Sequence, residues 1–368
     1  EKLFGFYKAL TGILMNINGE IKVLVVDDSA FMRKSITMML ESDPQIKVVA
    51  TARDGLEAIE KIKTFKPDIV TLDVEMPRMD GLTTLKIIMN ECPVPVLMVS
   101  SLTTEGAEAT LEALKLGAVD FIPKQLSYVS LDIIKIKDEL IQKVKSIVNS
   151  KYIRRKIYRH EVKSSKDVKF KHVKKNFEVV AIGVSTGGPV ALQEVLSRIP
   201  ENFPAGIVIA QHMPPNFTRL LAERLNSISK IEVREAQTGD KVRAGLALIA
   251  QGGKNLIFEK VFGEKIVKIA DKPDTLYKPS VDVMMESASE VFGDKVLGVI
   301  MTGMGRDGVE GLKKVKEKGG YIIAQNEETC VVYGMPKAVI DVGLADSILP
   351  LEKIGEAIVE IVRERKEI

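Results

Sequence analysis

The chain has 368 residues, 45% of them apolar, and a net charge of +3 at pH 7. That is long enough for two domains with separate cores and too apolar for a disordered chain. No apolar run reaches the ~18 residues that span a bilayer, and the opening EKLFGFYKALTGILMNINGE has neither a basic leader nor a small-residue cleavage site, so a cytoplasmic protein without direct membrane insertion is expected.

Residues 1–20, which include Met15, open no clear element and read as an N-terminal extension without an assigned role. Cys92 and Cys330 stand far apart with no metal-type spacing, which argues for small core residues in a reducing compartment and against disulfides or zinc.

From residue 21 the pattern becomes regular. Strand-like runs IKVLVVDD (21–28), IKVVATA (46–52), DIVTLDV (68–74), VPVLMVSS (94–101) and DFIPK (120–124) alternate with stretches of helical spacing. Phe31, Ile36, Met39 and Leu40, then Leu56, Ile59 and Ile62, repeat as helix faces, and an amphipathic helix closes the unit over 131–148. Short apolar strands separated by helices predict a parallel sheet covered on both faces, with chemistry at the carboxyl ends of its strands.

Those ends are charged. Asp27 and Asp28 end the first strand, Asp73 the third, Ser100 the fourth and Lys124 the fifth. One strand-end Asp can be a helix cap, and Asp28 before Ser29 fits that use. Three carboxylates at neighbouring ends repel one another, and a hard divalent cation such as Mg²⁺, with Lys124 as a further cation, offsets the repulsion.

VLVVDDS, LDVEMPRMDG, VLMVSS and FIPK, each at the end of its own strand, resemble a response-regulator receiver domain over about 21–148. The resemblance implies a flavodoxin-like five-stranded parallel fold with Asp73 as phosphoacceptor. It further implies Mg²⁺ held by Asp27, Asp28, Asp73 and the Glu75 carbonyl, Lys124 paired with the phosphoryl group, and a switch made of Ser100 and Phe121. Phe121 stands where many receivers carry a Tyr or another aromatic.

The net charge belongs to one segment. Residues 151–175 hold eleven Lys or Arg against Glu161 and Asp167, a local +9 that leaves −6 for the rest of the chain. Without Gly, Pro or a regular apolar period, this stretch reads as an exposed basic linker, with a nucleic-acid or phosphate contact as the alternative.

Beyond the linker, VVAIGV (179–184), AGIVIAQH (205–212), KVLGVIM (295–301) and YIIAQN (321–326) again alternate with helices, and 246–271 reads as a hairpin region. A second, doubly wound α/β domain with a hairpin addition is predicted.

Its first strand runs into Gly183-Val184-Ser185-Thr186-Gly187-Gly188. A dinucleotide loop is disfavoured, because Ser185 occupies the middle glycine position of G-x-G-x-x-G and the next strand ends in Gln211-His212 without a ribose-binding acid. The stretch satisfies G-x-S-x-G, a sharp turn that exposes a serine hydroxyl, and it also fits a turn whose Ser185 or Thr186 caps the following helix. A nucleophilic serine needs a base. Of the three histidines, His160 and His172 lie in the linker, whereas His212 ends a strand at the edge where Ser185 is expected. KVLGVIM then delivers TGMGRDG, with Asp307 to orient the imidazole, or to cap the helix after Gly308, and glycines that open backbone N–H groups to an oxyanion.

IGVSTGGP, AQHMPP and MTGMGRDG, together with the receiver motifs and the linker, resemble the chemotaxis protein-glutamate methylesterases over nearly the whole chain after about residue 20. The resemblance implies removal of methyl esters from glutamates on chemoreceptor cytoplasmic helices, deamidation of receptor glutamines, and phosphate supplied by a chemotaxis histidine kinase. On matching positions Ser185, His212 and Asp307 form a triad, Thr186 and Met304 line the site, and no cofactor is needed in this half. The expected organisation is an extension (1–20), a receiver (21–150), the basic linker (151–176) and a catalytic domain (177–368). A receiver with a nucleic-acid-binding or scaffold output is the rival, and the acidic balance outside the linker speaks against nucleic acid.

Overall fold

The computed structural model describes residues 19–124, 132–153 and 175–363. Most of the expected extension and of the basic linker, with His160 and His172, lies outside the described residues.

Strands β1 (Ile21–Val26), β2 (Ile46–Ala52), β3 (Ile69–Asp73), β4 (Val96–Ser100) and β5 (Asp120–Pro123) form an all-parallel sheet in the order β2-β1-β3-β4-β5. This is the flavodoxin-like order, with its switch point between β1 and β3. Every residue of β3 and β4 is buried, as strands covered on both faces require. Helices α1 (Ala30–Leu40), α2 (Gly55–Phe65), α3 (Gly81–Glu91) and α4 (Thr104–Leu116) start at Ser29, Asp54, Asp80 and Thr103, whose side chains each accept a first-turn N–H. Ser29, not Asp28, therefore caps α1. Helix α5 (Asp132–Asn149) closes this half and packs on α1.

The helix faces depart from the sequence expectation at two places. Phe31 and Leu56 are 45% and 50% exposed. Helix α2 approaches its neighbours so closely that a Cβ on Gly55 would fall 1.9 Å from Thr84 Oγ1, so the buried face is Gly55, Ala58 and Ile62 instead.

The second half contributes β6 (Val179–Val184), β7 (Gly206–Gln211), β8 (Glu232–Glu235), β9 (Leu246–Ile249), β10 (Asn255–Val261), β11 (Glu264–Ala270), β12 (Val296–Ile300), β13 (Tyr321–Gln325) and β14 (Ser347–Leu349). Seven of them make a parallel sheet in the order β14-β13-β12-β6-β7-β9-β8. Only β10 and β11 form the antiparallel hairpin; 246–249, expected within the hairpin region, joins the main sheet between β7 and β8. The short edge strands β8 and β14 were not anticipated.

Helices α6 (Gly188–Leu196), α7 (Phe217–Ile228), α8 (Val281–Phe292), α9 (Val309–Glu317), α10 (Met335–Asp341) and α11 (Leu351–Arg363) cover the sheet. One apolar cluster gathers α6, α7 and α11 on one face, and another gathers α8, α9 and α10 on the other. The chain leaves β6 in one direction toward β7 and returns on its other side as β12, so the switch point lies between β6 and β12, where an α/β sheet opens a crevice.

The halves pack together. The cluster on α6 and α7 continues through Phe217 and Leu221 into Ala107, Leu111 and Phe121 of the first half. Arg224 Nη1 donates to Leu111 O at 2.6 Å, Ser150 Oγ to Cys330 O at 3.3 Å, and Lys151 pairs with Glu327 at 2.9 Å. Among the described residues, no helix is long and apolar enough to cross a membrane.

Candidate active site

Three loops at the carboxyl edge of the second sheet converge at its switch point. Ser185 follows β6, His212 follows β7 and Asp307 follows β12. The serine turn is tightly specified: Ser185 N–H donates to Thr302 O at 3.0 Å, while Ser185 O accepts from Gly188 N–H at 2.8 Å and Gln211 Nε2 at 3.0 Å. Gly187 has φ +78°, and a Cβ there would meet Val331 at 2.6 Å, so the corner demands glycine. Helix α6 starts at Gly187 without a side-chain cap, which removes the capping alternative for Ser185 and Thr186. Thr186 is buried and Ser185 half-buried.

The loop after β12 lies against this corner. A Cβ on Gly303 would fall 2.8 Å from Ser185 Cβ. Asp307 does not cap α9, whose N-terminus at Gly308 has no side-chain cap from its own turn. Its Oδ2 meets His212 Nε2 at 2.7 Å. Burial would raise the Asp307 carboxyl, but the bonds and charge of His212 and the N–H groups of Asp282 and Val281 outweigh it and hold the carboxyl below its ordinary range. An ionised carboxylate only accepts, so Nε2 carries a proton, and in the neutral imidazole Nδ1 is the nitrogen with the free lone pair. Nδ1 is buried and has no hydrogen-bond partner among the described residues.

Three supports were not foreseen. Tyr277 stacks on the imidazole, with ring centroids 4.4 Å apart and planes 12° apart. Gln211, noted only as a strand end, ties the serine turn to the histidine by donating to both Ser185 O and His212 O at 3.0 Å. The segment 325–337, for which the sequence suggested no role, braces the same corner: Gln325 Oε1 accepts from Thr302 N–H at 2.8 Å, and Thr302 Oγ1 donates to Thr186 O at 2.9 Å.

Ser185, Thr186, His212, Tyr277 and Met304 line a cavity of about 240 Å³. Its opposite wall comes from the first half: Asp120, Phe121, Pro123, Glu139 and Lys143. Lys143 is buried there, bonded to Asp120 Oδ2 and Phe121 O, each at 2.7 Å.

At the switch point of the first sheet, Asp27, Asp28 and Asp73 bring one carboxylate oxygen each within 4.8 Å of one another. Lys124 Nζ lies 2.6 Å from Asp73 Oδ2 and 3.2 Å from Asp27 Oδ2, close ion pairs that still leave both buried oxygens without a well-directed hydrogen bond. Burial, with Asp27 adding to it and Lys124 opposing, pushes Asp73 up to about 6, and burial also raises Asp27. Burial pulls Lys124 down, but Asp73 and Asp27 more than compensate and hold its ammonium above its ordinary value. Asp73 Oδ1 accepts from Glu75 N–H at 3.3 Å, so the loop carrying Glu75 folds over the acid. Three clustered acids faced by one ammonium fit a divalent cation held by oxygen. Ser100 Oγ is buried and donates to Gly106 O at 3.0 Å, and Phe121 packs in the interface between the halves.

Known proteins resemble the chain in both halves. Residues 180–358 match the family described as CheB methylesterase, and 23–133 match the response regulator receiver domain. The chain is 53% identical over 360 residues to protein-glutamate methylesterase/protein-glutamine glutaminase 2 of Nitratidesulfovibrio vulgaris, covering 92% of this chain and 98% of that protein. It is 52% identical over 366 residues to protein-glutamate methylesterase/protein-glutamine glutaminase 1 of Oleidesulfovibrio alaskensis, covering 93% and 99%. The crystal structure of the Thermotoga maritima CheB methylesterase catalytic domain is matched over all of that chain and 51% of this one, at 44% identity and a TM-score of 0.50. Such identity over nearly the full length, on a fold whose two switch points carry an acidic pocket and a serine turn, means that the chain belongs to the protein-glutamate methylesterase/protein-glutamine glutaminase family.

Proposed function

We propose that the chain hydrolyses glutamate methyl esters on chemoreceptor helices with Ser185 as nucleophile, His212 as base and Asp307 as the acid that orients it. The observation that carries the reading is the Asp307–His212 bond of 2.7 Å, which leaves the second imidazole nitrogen unpaired beside the cavity that Ser185 lines.

His212 Nδ1 takes the proton of Ser185 as Oγ bonds to the γ-carbonyl carbon. Thr186 and Met304 line the cavity, and their N–H groups, which make no backbone hydrogen bond among the described residues, would serve as donors for the tetrahedral oxyanion. His212 then returns the proton to the methoxy oxygen as the C–O bond breaks, and methanol leaves. Water, deprotonated by the same nitrogen, attacks the glutamyl carbonyl; the bond to Ser185 Oγ breaks, His212 returns the proton to Oγ, and a carboxylate is left. With a glutamine, the same steps expel ammonia. Tyr277 and Asp307 hold the imidazole from its face and its far edge throughout.

Residues 21–150 act as the control domain and 177–368 as the catalytic domain. In this reading Asp73 accepts a phosphoryl group from the phosphohistidine of a chemotaxis kinase, its carboxylate oxygen bonding to phosphorus as the N–P bond breaks. Asp27, Asp28, Asp73 and the Glu75 carbonyl would hold Mg²⁺, which when bound neutralises phosphoryl oxygens. Lys124 would pair with the new group, and Ser100 and Phe121 would re-pack around it. The wall formed by Phe121, Pro123 and Lys143 supports an inhibitory role for the unphosphorylated control domain. A receptor helix is about 10 Å across, and a cavity of about 240 Å³ admits a side chain but not that helix. Phosphorylation would shift the population toward an open arrangement.

A fluorophosphonate probe tests the nucleophile. It should label the intact chain at Ser185, faster with a phosphodonor and Mg²⁺, and should not label Ser185→Ala; labelling of that variant at an equal rate would contradict the assignment.

A further inference from the structure

Behind the candidate triad, two acids exchange helix ends. Asp307 precedes α9 but serves α8, accepting Val281 N–H at 2.7 Å, Asp282 N–H at 2.9 Å and Ser280 Oγ at 3.0 Å. Asp282, in the first turn of α8, serves α9 in return: its Oδ1 accepts Gly308 N–H at 2.9 Å and Gly311 N–H at 2.8 Å. Helix capping alone does not require the exchange, because Ser280 already caps α8 through Val283 N–H. What the exchange does achieve is to fasten the turn that carries Asp307 to the helix that Asp307 itself grips. Neither acid can move without dragging the other.

The arrangement also places two carboxylates side by side. Burial, against the N–H groups of Gly311 and Gly308 and reinforced by Asp307, raises the Asp282 carboxyl, whereas Asp307 stays below its ordinary range. Two neighbouring acids driven apart in this way divide the work: one stays ionised, and the other gains or loses its charge at higher pH. The strands beneath α8 (β6, β7 and β12) carry no charged residue. Glu286 along α8, Arg306 in the turn and Glu310 on α9 are exposed, and β10 presents Glu259 and Lys260. The charge that meets Asp282 is that of Asp307 and, through it, His212.

We propose that Asp282 is a positioning residue of the esterase site, which locks the Asp307 turn toward His212 and whose negative charge makes the Asp307–His212 pair hold a proton more tightly. The proposal rests on reading Ser185, His212 and Asp307 as the catalytic groups. Once Asp282 ionises, its charge favours the imidazolium that forms during acyl transfer; as pH falls through its raised range, that support is lost.

Two variants separate position from charge. Asp282→Asn keeps an acceptor for Gly308 and Gly311 and removes the charge, whereas Asp282→Ala removes both. In the full chain, with a phosphodonor and Mg²⁺ and methyl-esterified chemoreceptor fragments, Asp282→Ala should lower kcat by roughly ten- to a hundredfold with KM within about twofold. Asp282→Asn should recover most of kcat, with the acid limb of the pH–rate profile moved to lower pH by roughly half to one unit. The ¹⁵N titration of the His212 ring should move in the same direction. An unshifted limb and an unshifted ring titration in Asp282→Asn, or an unchanged kcat in folded Asp282→Ala, would overturn the proposal. The ring titration needs no turnover: a chain that hydrolyses no ester yet shows the shift refutes the esterase reading and leaves the Asp282–His212 linkage standing.

Discussion

Phe121, from the half that carries the acidic pocket, stacks face to face on Phe217, five residues beyond His212 in the other half, with ring centroids 4.7 Å apart and planes 1° apart. Phe121 lies three residues before Lys124, whose ammonium holds Asp73. One pair of rings thus lies between the candidate phosphoacceptor and the loop that carries the candidate base.

Weakening that contact should open the esterase without a phosphate. An aromatic pair contributes ~0.5–1.5 kcal/mol beyond its burial, a roughly two- to tenfold change in a two-state balance. Phe217→Leu keeps a core side chain and loses the stack. Its methanol release without a phosphodonor should exceed that of the wild type by about that factor, with correspondingly less stimulation by the donor. Arg224→Ala, which removes the bond to Leu111 O, should act in the same direction.

The acidic pocket predicts a pH-dependent stability. Asp73 is pushed up to about 6 by burial, so its contribution to folding is complete below the ordinary range near ~4 and is lost as pH rises through about 6. Asp73→Asn removes the loss. Its melting temperature relative to wild type should rise between pH 4 and 7 and end a few degrees higher. Calorimetry across that range checks the sign.

Millimolar Mg²⁺ should raise the melting temperature of the wild type at pH 7.5, since a cation bound only by the folded pocket stabilises it. Asp27→Asn should lose most of the rise, and Ser185→Ala should keep it.

Tyr277 should matter through its ring, not its hydroxyl. Tyr277→Phe keeps the stack on His212, while Tyr277→Ala frees the imidazole to tilt and admits water. We expect kcat for the ester within about twofold of wild type in the first and reduced roughly tenfold or more in the second. Steady-state kinetics with the phosphodonor present distinguishes the two.

Much of the architecture was readable because parallel strands print their burial as apolar runs. β3, β4, β6, β7, β12 and β13, buried at every position, all fell inside predicted strands. The grouping of the candidate site residues was readable for a related reason: a sheet's switch point gathers what stands at its strand ends, so Ser185, His212 and Asp307 were expected at one edge, where the structure has them. β8 escaped because EVRE, on the sheet edge, carries charges where a central strand would be apolar. β14, three residues long, is too short to print a pattern. Leu56 misled because close packing of α2 selected Gly55 and Ala58 over their larger neighbour. Tyr277 reaches the site from an irregular segment, and Asp282 acts across two helix ends, so neither leaves a local spacing to read.

The most direct measurement is methanol released from methyl-esterified chemoreceptor fragments by the intact chain and by Ser185→Ala, each with and without a small-molecule phosphodonor and Mg²⁺. Release by the intact chain alone, increased by the donor, is the predicted result. Equal release by Ser185→Ala, or none from a folded intact chain under any of these conditions, would contradict it.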